Sequence, residues 1–303
     1  MTEPELLSSA DIDEFHKELS NWGRWGTDDQ LGTLNLITPE KRKQSAQCIQ
    51  SGVAIGCSRP LPTEPGPHNQ RPVEHHMIGT CTEGWGGDWF GLAVHGFATS
   101  HIDALCHIFH QSKLYNGYPI EEVTAHGALK LSIDALRDGI VSRGVLLDIP
   151  GAKGRDHLEP GEPILLEDLK EAEQFGRVAV EPGDVLFVRT GRWKLYESLG
   201  EVLSPDSLAG LHASCLPWLH ERGIAALGSD AISDVLPSRV EGVMMPVHSV
   251  AIASMGLHLI DNLDFERLSE ECRRQQRWAF QLVIAPLVIE RATGSPVTPI
   301  AIF

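Results

Sequence analysis

No stretch of the 303 residues approaches the ~20 consecutive apolar residues that a membrane-spanning helix needs. The start, Met1 to Ser20, is polar and acidic and lacks the apolar core of a secretory signal. Basic residues are scarce, with 25 Lys plus Arg against 41 Asp plus Glu, a formal net charge of −16. No basic block interrupts that surplus, which argues against nucleic acid or an anionic membrane as a partner. The six cysteines (Cys48, Cys57, Cys81, Cys106, Cys215 and Cys272) form no Cys-x-x-Cys pair. That pattern suits reduced, structural thiols, and the expected location is cytoplasmic. There is no Gly-x-Ser-x-Gly elbow, which disfavours a serine hydrolase. Around Gly87 no strand, Gly-rich turn and helix with a following Lys make a phosphate loop. Internal repeats and low-complexity tracts are absent too.

What is present is an ordinary globular composition, 42% hydrophobic and 22% charged. We read residues 1–303 as one domain, with residues 1–60 as an N-terminal segment that carries a helix and packs near a partner subunit. Thr38-Pro39-Glu40 opens a helix, with Thr as N-cap and Pro at the first helical position, running through Ala46 and Ile49 towards Gly52. Residues 59–88 lack periodicity and are rich in Pro, Gly, His and Trp, so they read as a long loop with one short strand. A loop that long is usually functional. Buried-strand runs follow at Gly144–Pro150, Asp184–Gly191, Ile224–Gly228 and Gln281–Ile289. Helical spacing occupies Leu165–Phe175 and Pro205–Arg222. Strands alternating with helices indicate an α/β architecture.

Chemistry concentrates between Val94 and His110, which hold His95, His101, Asp103, His107 and His110. In an extended segment His101 and Asp103 point the same way, about 7 Å apart along the chain. Imidazole nitrogen plus carboxylate oxygen is a donor set for zinc or manganese. His107 could carry protons, its ordinary pKa lying near neutrality. A lone histidine is more often a hydrogen-bonded loop residue than a ligand, and His110, His75 and His76 are read so. Asp230 and Asp234 read as loop hydrogen-bonding residues, Arg189 as half of an ion pair, and His212, His220 and His258 as structural.

The stretch from Trp22-Gly23-Arg24-Trp25-Gly26 to Leu34-Asn35 resembles the opening signature of the cyclase family of metal-dependent hydrolases. That family includes bacterial kynurenine formamidases and isatin hydrolase. His101 to His107 matches its central His-x-Asp-x-x-x-His motif. Gly183-Asp184-Val185-Leu186, Arg189-Thr190-Gly191, Pro246-Val247-His248 and Asp261-Asn262-Leu263 follow in order. The resemblance implies a single swivelling β/β/α domain, with a mixed central sheet or barrel-like β core flanked by helices.

It also implies a site. His101 and Asp103 take the positions of the family's metal ligands, His107 that of its proton-transferring histidine, and His248 and Asp261 those of a later His and Glu. The chain departs from the pattern twice. Asp261 is one methylene shorter than Glu, and Phe97 stands where the family has another ligand histidine. The nearest substitute is His95, but six extended residues would put it about 20 Å from His101. The expected cofactor is one or two divalent ions, zinc or manganese.

The reaction the resemblance implies is hydrolysis of a small cyclic or N-acyl amide, of aromatic character, by metal-activated water, with His107 as acid and base. Trp85, Trp89, Phe90, Phe97 and Trp25 are the candidate pocket wall. A homodimer or homotetramer is expected. Two alternatives stay open: a metal-free lyase, dehydratase or cyclising enzyme using His107 and Asp103, and a homologue that binds an aromatic metabolite without turning it over.

Overall fold

In the computed structural model of the chain, which describes residues 7–303, four apolar runs form the middle of one sheet. Ile140–Asp148, Val185–Arg189, Ala226–Ser229 and His258–Asp261 lie parallel and side by side. They are buried along almost their whole length. Parallel strands covered on both faces read as continuous apolar stretches, and Val145-Leu146-Leu147 and Val185-Leu186-Phe187-Val188 are such stretches. Antiparallel strands extend both flanks. Ala279–Ile284, Ile300–Ile302 and Ala54–Gly56 lie beyond Ile140–Asp148, and His101–Asp103 and Gly294–Pro296 lie beyond His258–Asp261. The nine strands curl into a half-barrel flanked by helices, a mixed α/β domain as expected.

Several boundaries differ from the sequence reading. The helix capped by the Thr38 hydroxyl spans Pro39–Ala46 and stops before Ile49. The first central strand ends at Asp148, whose carboxylate caps a short helix, Ile149–Ala152, so Ile149 and Pro150 leave the strand. Of residues 205–222 only Leu216–Arg222 is α-helical. Upstream, Gly210 and Leu211 pair in parallel with Pro163 and Ile164, and Leu208 exchanges backbone hydrogen bonds with Leu236. An apolar spacing that looked like one helix is an extended segment followed by a helix. The last long apolar run leaves the sheet after Ile284, because Pro286 offers no amide to the ladder. Leu166–Gly176 is helical as read.

The long loop contains a hairpin, Glu74–Gly79 paired with Gly87–Gly91. The helix Ser9–Glu18, capped by the Ser8–Asp11 box, buries Ile12 and His16 against Pro246–Val250 and the π-helical turn Ala251–Met255 of its own chain. Among the described residues no helix is long and apolar enough to cross a membrane.

Candidate metal centre

His101 and Asp103 are alternate residues of one strand, so both side chains leave the same face. Asp261 stands directly across from His101 on the neighbouring antiparallel strand. His101 Nε2 lies 3.3 Å from Asp103 Oδ1, and the two residues are 3% and 1% exposed. The Thr99 carbonyl accepts the Nδ1–H of His101 at 2.8 Å, which turns Nε2 towards Asp103.

The separation expected for His95 does not hold. Gly96 has φ +135°, a conformation open to glycine and strained for other residues. The chain therefore turns back, and His95 Nδ1 comes to 2.9 Å from Asp103 Oδ1. Its Nε2 lies 2.9 Å from the Thr293 hydroxyl. Phe97 is turned elsewhere, packing with Met245 on Leu208, Ile232 and Leu236. A histidine two residues upstream thus reaches the cluster that Phe97 cannot serve.

His248 enters from the helix Pro246–Val250. Its Nδ1 lies 2.5 Å from Asp234 Oδ2, and its Nε2 lies 3.1 Å from Asp261 Oδ2 and 3.8 Å from Asp103 Oδ2. Asp234 also accepts the amides of Val247 and His248, so one carboxylate fixes both the helix start and the imidazole. The Ser233 hydroxyl donates to the other oxygen of Asp261. The result is two donor triads, His95–His101–Asp103 and Asp103–His248–Asp261, sharing Asp103, with the donor atoms of each within 4.8 Å of one another.

The electrostatics favour a cation. Asp103, Asp234 and Asp261 are buried, and among the described residues no Lys or Arg pairs with any of them. Histidines alone offset that charge. Burial works against charged His248, but the Asp261 charge and the Asp234 hydrogen bond outweigh it and hold its pKa well above the ordinary value. His101 is raised against its burial by the hydrogen bond and charge of Asp103. Asp103 is likewise held well below the carboxylate range, hydrogen bonds from His101 and His95 overcoming its burial. Buried imidazole and carboxylate donors, all but Asp103 oriented by an outer hydrogen bond, fit a divalent metal ion.

His107 lies parallel to His95, ring centroids 3.6 Å apart. Burial, with smaller contributions from the neighbouring histidines, pushes its pKa down to about 4 despite Asp103. It is a neutral imidazole near pH 7. A cavity of about 280 Å³ borders this corner, lined by His95, Gly96, Phe97, Thr99, Gln70 and Arg71 among others.

The aromatic wall needs correction. Trp85, Trp89 and Phe90 sit on the 74–91 hairpin, 53%, 48% and 54% exposed, and do not line that cavity. Trp25 is half-buried beneath the Arg24 guanidinium and is not among its lining residues either. Phe97 is. Arg189 is a structural residue, paired at 2.8 Å with both Asp148 and Glu266. Asp230 holds the amides of Thr190 and Gly191. His258 is buried beside the site with Nδ1 on the Asp103 carbonyl. Thr293 has no signal in the sequence, since only the fold brings it to His95.

These features define an α/β protein with a buried histidine–carboxylate centre at one flank of a half-barrel sheet. A family model described as "Putative cyclase" matches residues 47–234, and the chain belongs to that cyclase family. A kynurenine formamidase of Bacillus cereus is 26% identical over 141 residues, 45% of this chain and 59% of that protein, so the chain spans less than two thirds of that relative's length. A crystal structure of a novel cyclase superposes with a TM-score of 0.84 at 28% identity, covering 95% of this chain and 99% of the other. Isatin hydrolase A of Ralstonia solanacearum shares the fold, with a TM-score of 0.60 at 19% identity over 82% of this chain and 91% of the other.

Proposed function

We propose that the chain hydrolyses a non-peptide C–N bond in a small amide or lactam at a divalent metal held by His95, His101, Asp103, His248 and Asp261. The observation that carries this reading is the pair of donor triads sharing Asp103, built around buried carboxylates with no Lys or Arg partner among the described residues. The similarity to a kynurenine formamidase and the fold shared with isatin hydrolase support the bond type. When bound, the metal lowers the pKa of water and polarises a carbonyl. His107, neutral and fixed by its stack on His95, takes a proton from the attacking water and returns it to the leaving nitrogen as the C–N bond breaks. Asp234 and Thr293 hold His248 and His95 in the orientation that leaves a ring nitrogen free for the metal. The cavity beside His95 suits a single-ring substrate in size, with Phe97 as its apolar contact.

The test is elemental analysis of protein purified without chelator or affinity nickel, together with His101→Ala and Asp103→Ala, followed by a screen of N-formyl aromatic amides and isatin-like lactams. Bound zinc or manganese in the wild type, lost in both variants, with turnover of one substrate class, supports the reading. A wild type that holds no metal even after zinc or manganese is added sinks it and favours metal-free chemistry at His107 or a binding role.

A further inference from the structure

We infer that Arg192 and Asn262 are positioning residues that clamp the 96–99 loop and thereby deliver His95 to the metal centre. The inference rests on the metal reading above. His95 and His101 are joined by a five-residue connection that must double back, and its backbone carbonyls are held from one side. Asn262 Nδ2 donates to the Gly96 carbonyl at 2.8 Å and to the Thr99 carbonyl at 3.2 Å. Arg192 Nη2 donates to the Phe97 carbonyl at 2.9 Å. The clamp is locked to itself, because Arg192 Nη1 donates to Asn262 Oδ1 at 2.8 Å. The Asn262 carbonyl in turn accepts the Ser100 hydroxyl at 2.6 Å.

The chemistry of Arg192 argues for this role over simple packing. It is 4% exposed, yet among the described residues its hydrogen-bond partners are all neutral: two carbonyl oxygens, of Phe97 and the Asn262 amide, and the Tyr196 hydroxyl. A buried guanidinium without a carboxylate partner costs stability. What it secures here is the one loop whose course decides whether His95 reaches Asp103. Asn262 is itself held at φ +56°, a conformation asparagine tolerates better than most residues, immediately after Asp261. Asn262 thus ties the loop that carries His95 to the end of the strand His258–Asp261.

Because the clamp holds residues 96–99 through main-chain carbonyls, it places no demand of its own on the side chain at 97.

The experiment titrates the metal-free protein with cobalt(II), reading affinity and the visible ligand-field spectrum, in wild type, Arg192→Met, Asn262→Asp and each combined with His95→Ala. Asn262→Asp separates structure from positioning, since it keeps the acceptor for Arg192, now as an ion pair, but loses the donor to Gly96 and Thr99. We expect each single variant to weaken cobalt binding about 10- to 100-fold, the range for residues that orient ligands, with an altered spectrum. Asn262→Asp should lose some thermal stability but keep the wild-type circular dichroism and a cooperative unfolding transition, and neither change should weaken binding further once His95 is alanine. Faster amide exchange confined to residues 95–100 of the metal-free variants is the metal-independent sign. Wild-type cobalt binding with unchanged affinity in the variants overturns the clamp and leaves the metal reading standing. So does an undiminished loss in the His95→Ala background. A wild type that takes up no cobalt overturns both.

Discussion

Gly294 faces Asp103 across the sheet, and the place where its side chain would begin is taken by the ring of His95. A Cβ on Gly294 would stand 2.9 Å from His95 Cε1 and 2.7 Å from the Ile102 carbonyl. Gly294→Ala should therefore expel His95 from the cluster and lower metal affinity by about 10-fold or more. The check is a double-mutant cycle with His95→Ala: the two changes should be strongly non-additive, because both remove the same ligand. Full additivity would show that His95 contributes nothing through this contact.

The turn at Gly96 invites a second measurement. At φ +135° an alanine is strained, although the space for its methyl is open. Gly96→Ala should destabilise the protein by about 1–3 kcal/mol or force the loop to another path. Denaturant midpoints give the first and loss of metal binding reports the second. A variant unchanged in both would mean that the His95 turn does not depend on this backbone conformation.

Asp234 binds no metal in our reading, yet its replacement should be costly. It accepts His248 Nδ1 and two amides, so Asp234→Asn places an amide group opposite donors and permits the wrong imidazole tautomer. Metal affinity should fall about 10- to 100-fold with the fold retained. Isothermal titration with zinc, beside the circular dichroism of the variant, decides it: undiminished affinity would make Asp234 a helix cap and nothing more.

How much of this was legible depends on where the information sits in the chain. His101, Asp103 and His107 lie within one short motif, where alternation along a strand fixes their common face. His248 and Asp261 came through family resemblance, and the register that sets Asp261 opposite His101 gives a structural reason for them. His95 is a candidate whose reach depends on Gly96: an extended chain would hold it about 20 Å away, and only the turn that glycine permits brings it to Asp103. Thr293 and Arg192 had no signal of their own and Asn262 only its place in the stretch Asp261-Asn262-Leu263, since the contacts that tie them to the site span from 70 to 198 positions. Closeness in sequence to the motif does not bring Trp85, Trp89 and Phe90 to the cavity either, because they sit exposed on the 74–91 hairpin. The central strands were legible as apolar runs, whereas Pro205–Arg222 was not, because apolar residues in an extended segment mimicked helical spacing.

His16 supplies a test of stability against pH that stands apart from the metal ligands. Its ring is buried under the N-terminal helix, with Nδ1 2.7 Å from the Ser254 hydroxyl and Nε2 3.0 Å from that of Ser249, and it stacks on His110 at 3.6 Å. Burial first, and the neighbouring His110 second, push its pKa down to about 4. The unfolded chain, with an ordinary value of about 6.5, binds the proton more readily. Stability is therefore unaffected by this group above pH 6.5 and is lost as pH falls from there towards 4. Allowing for partial solvent screening, the loss between pH 7.5 and pH 5 should be about 1–2 kcal/mol. Denaturant unfolding of the metal-free wild type and of His16→Gln at the two pH values isolates it, since every other group titrates in both proteins. The wild type should lose about 1–2 kcal/mol more than the variant. Parallel losses would mean that His16 keeps an ordinary pKa and that the helix Ser9–Glu18 is docked by packing alone.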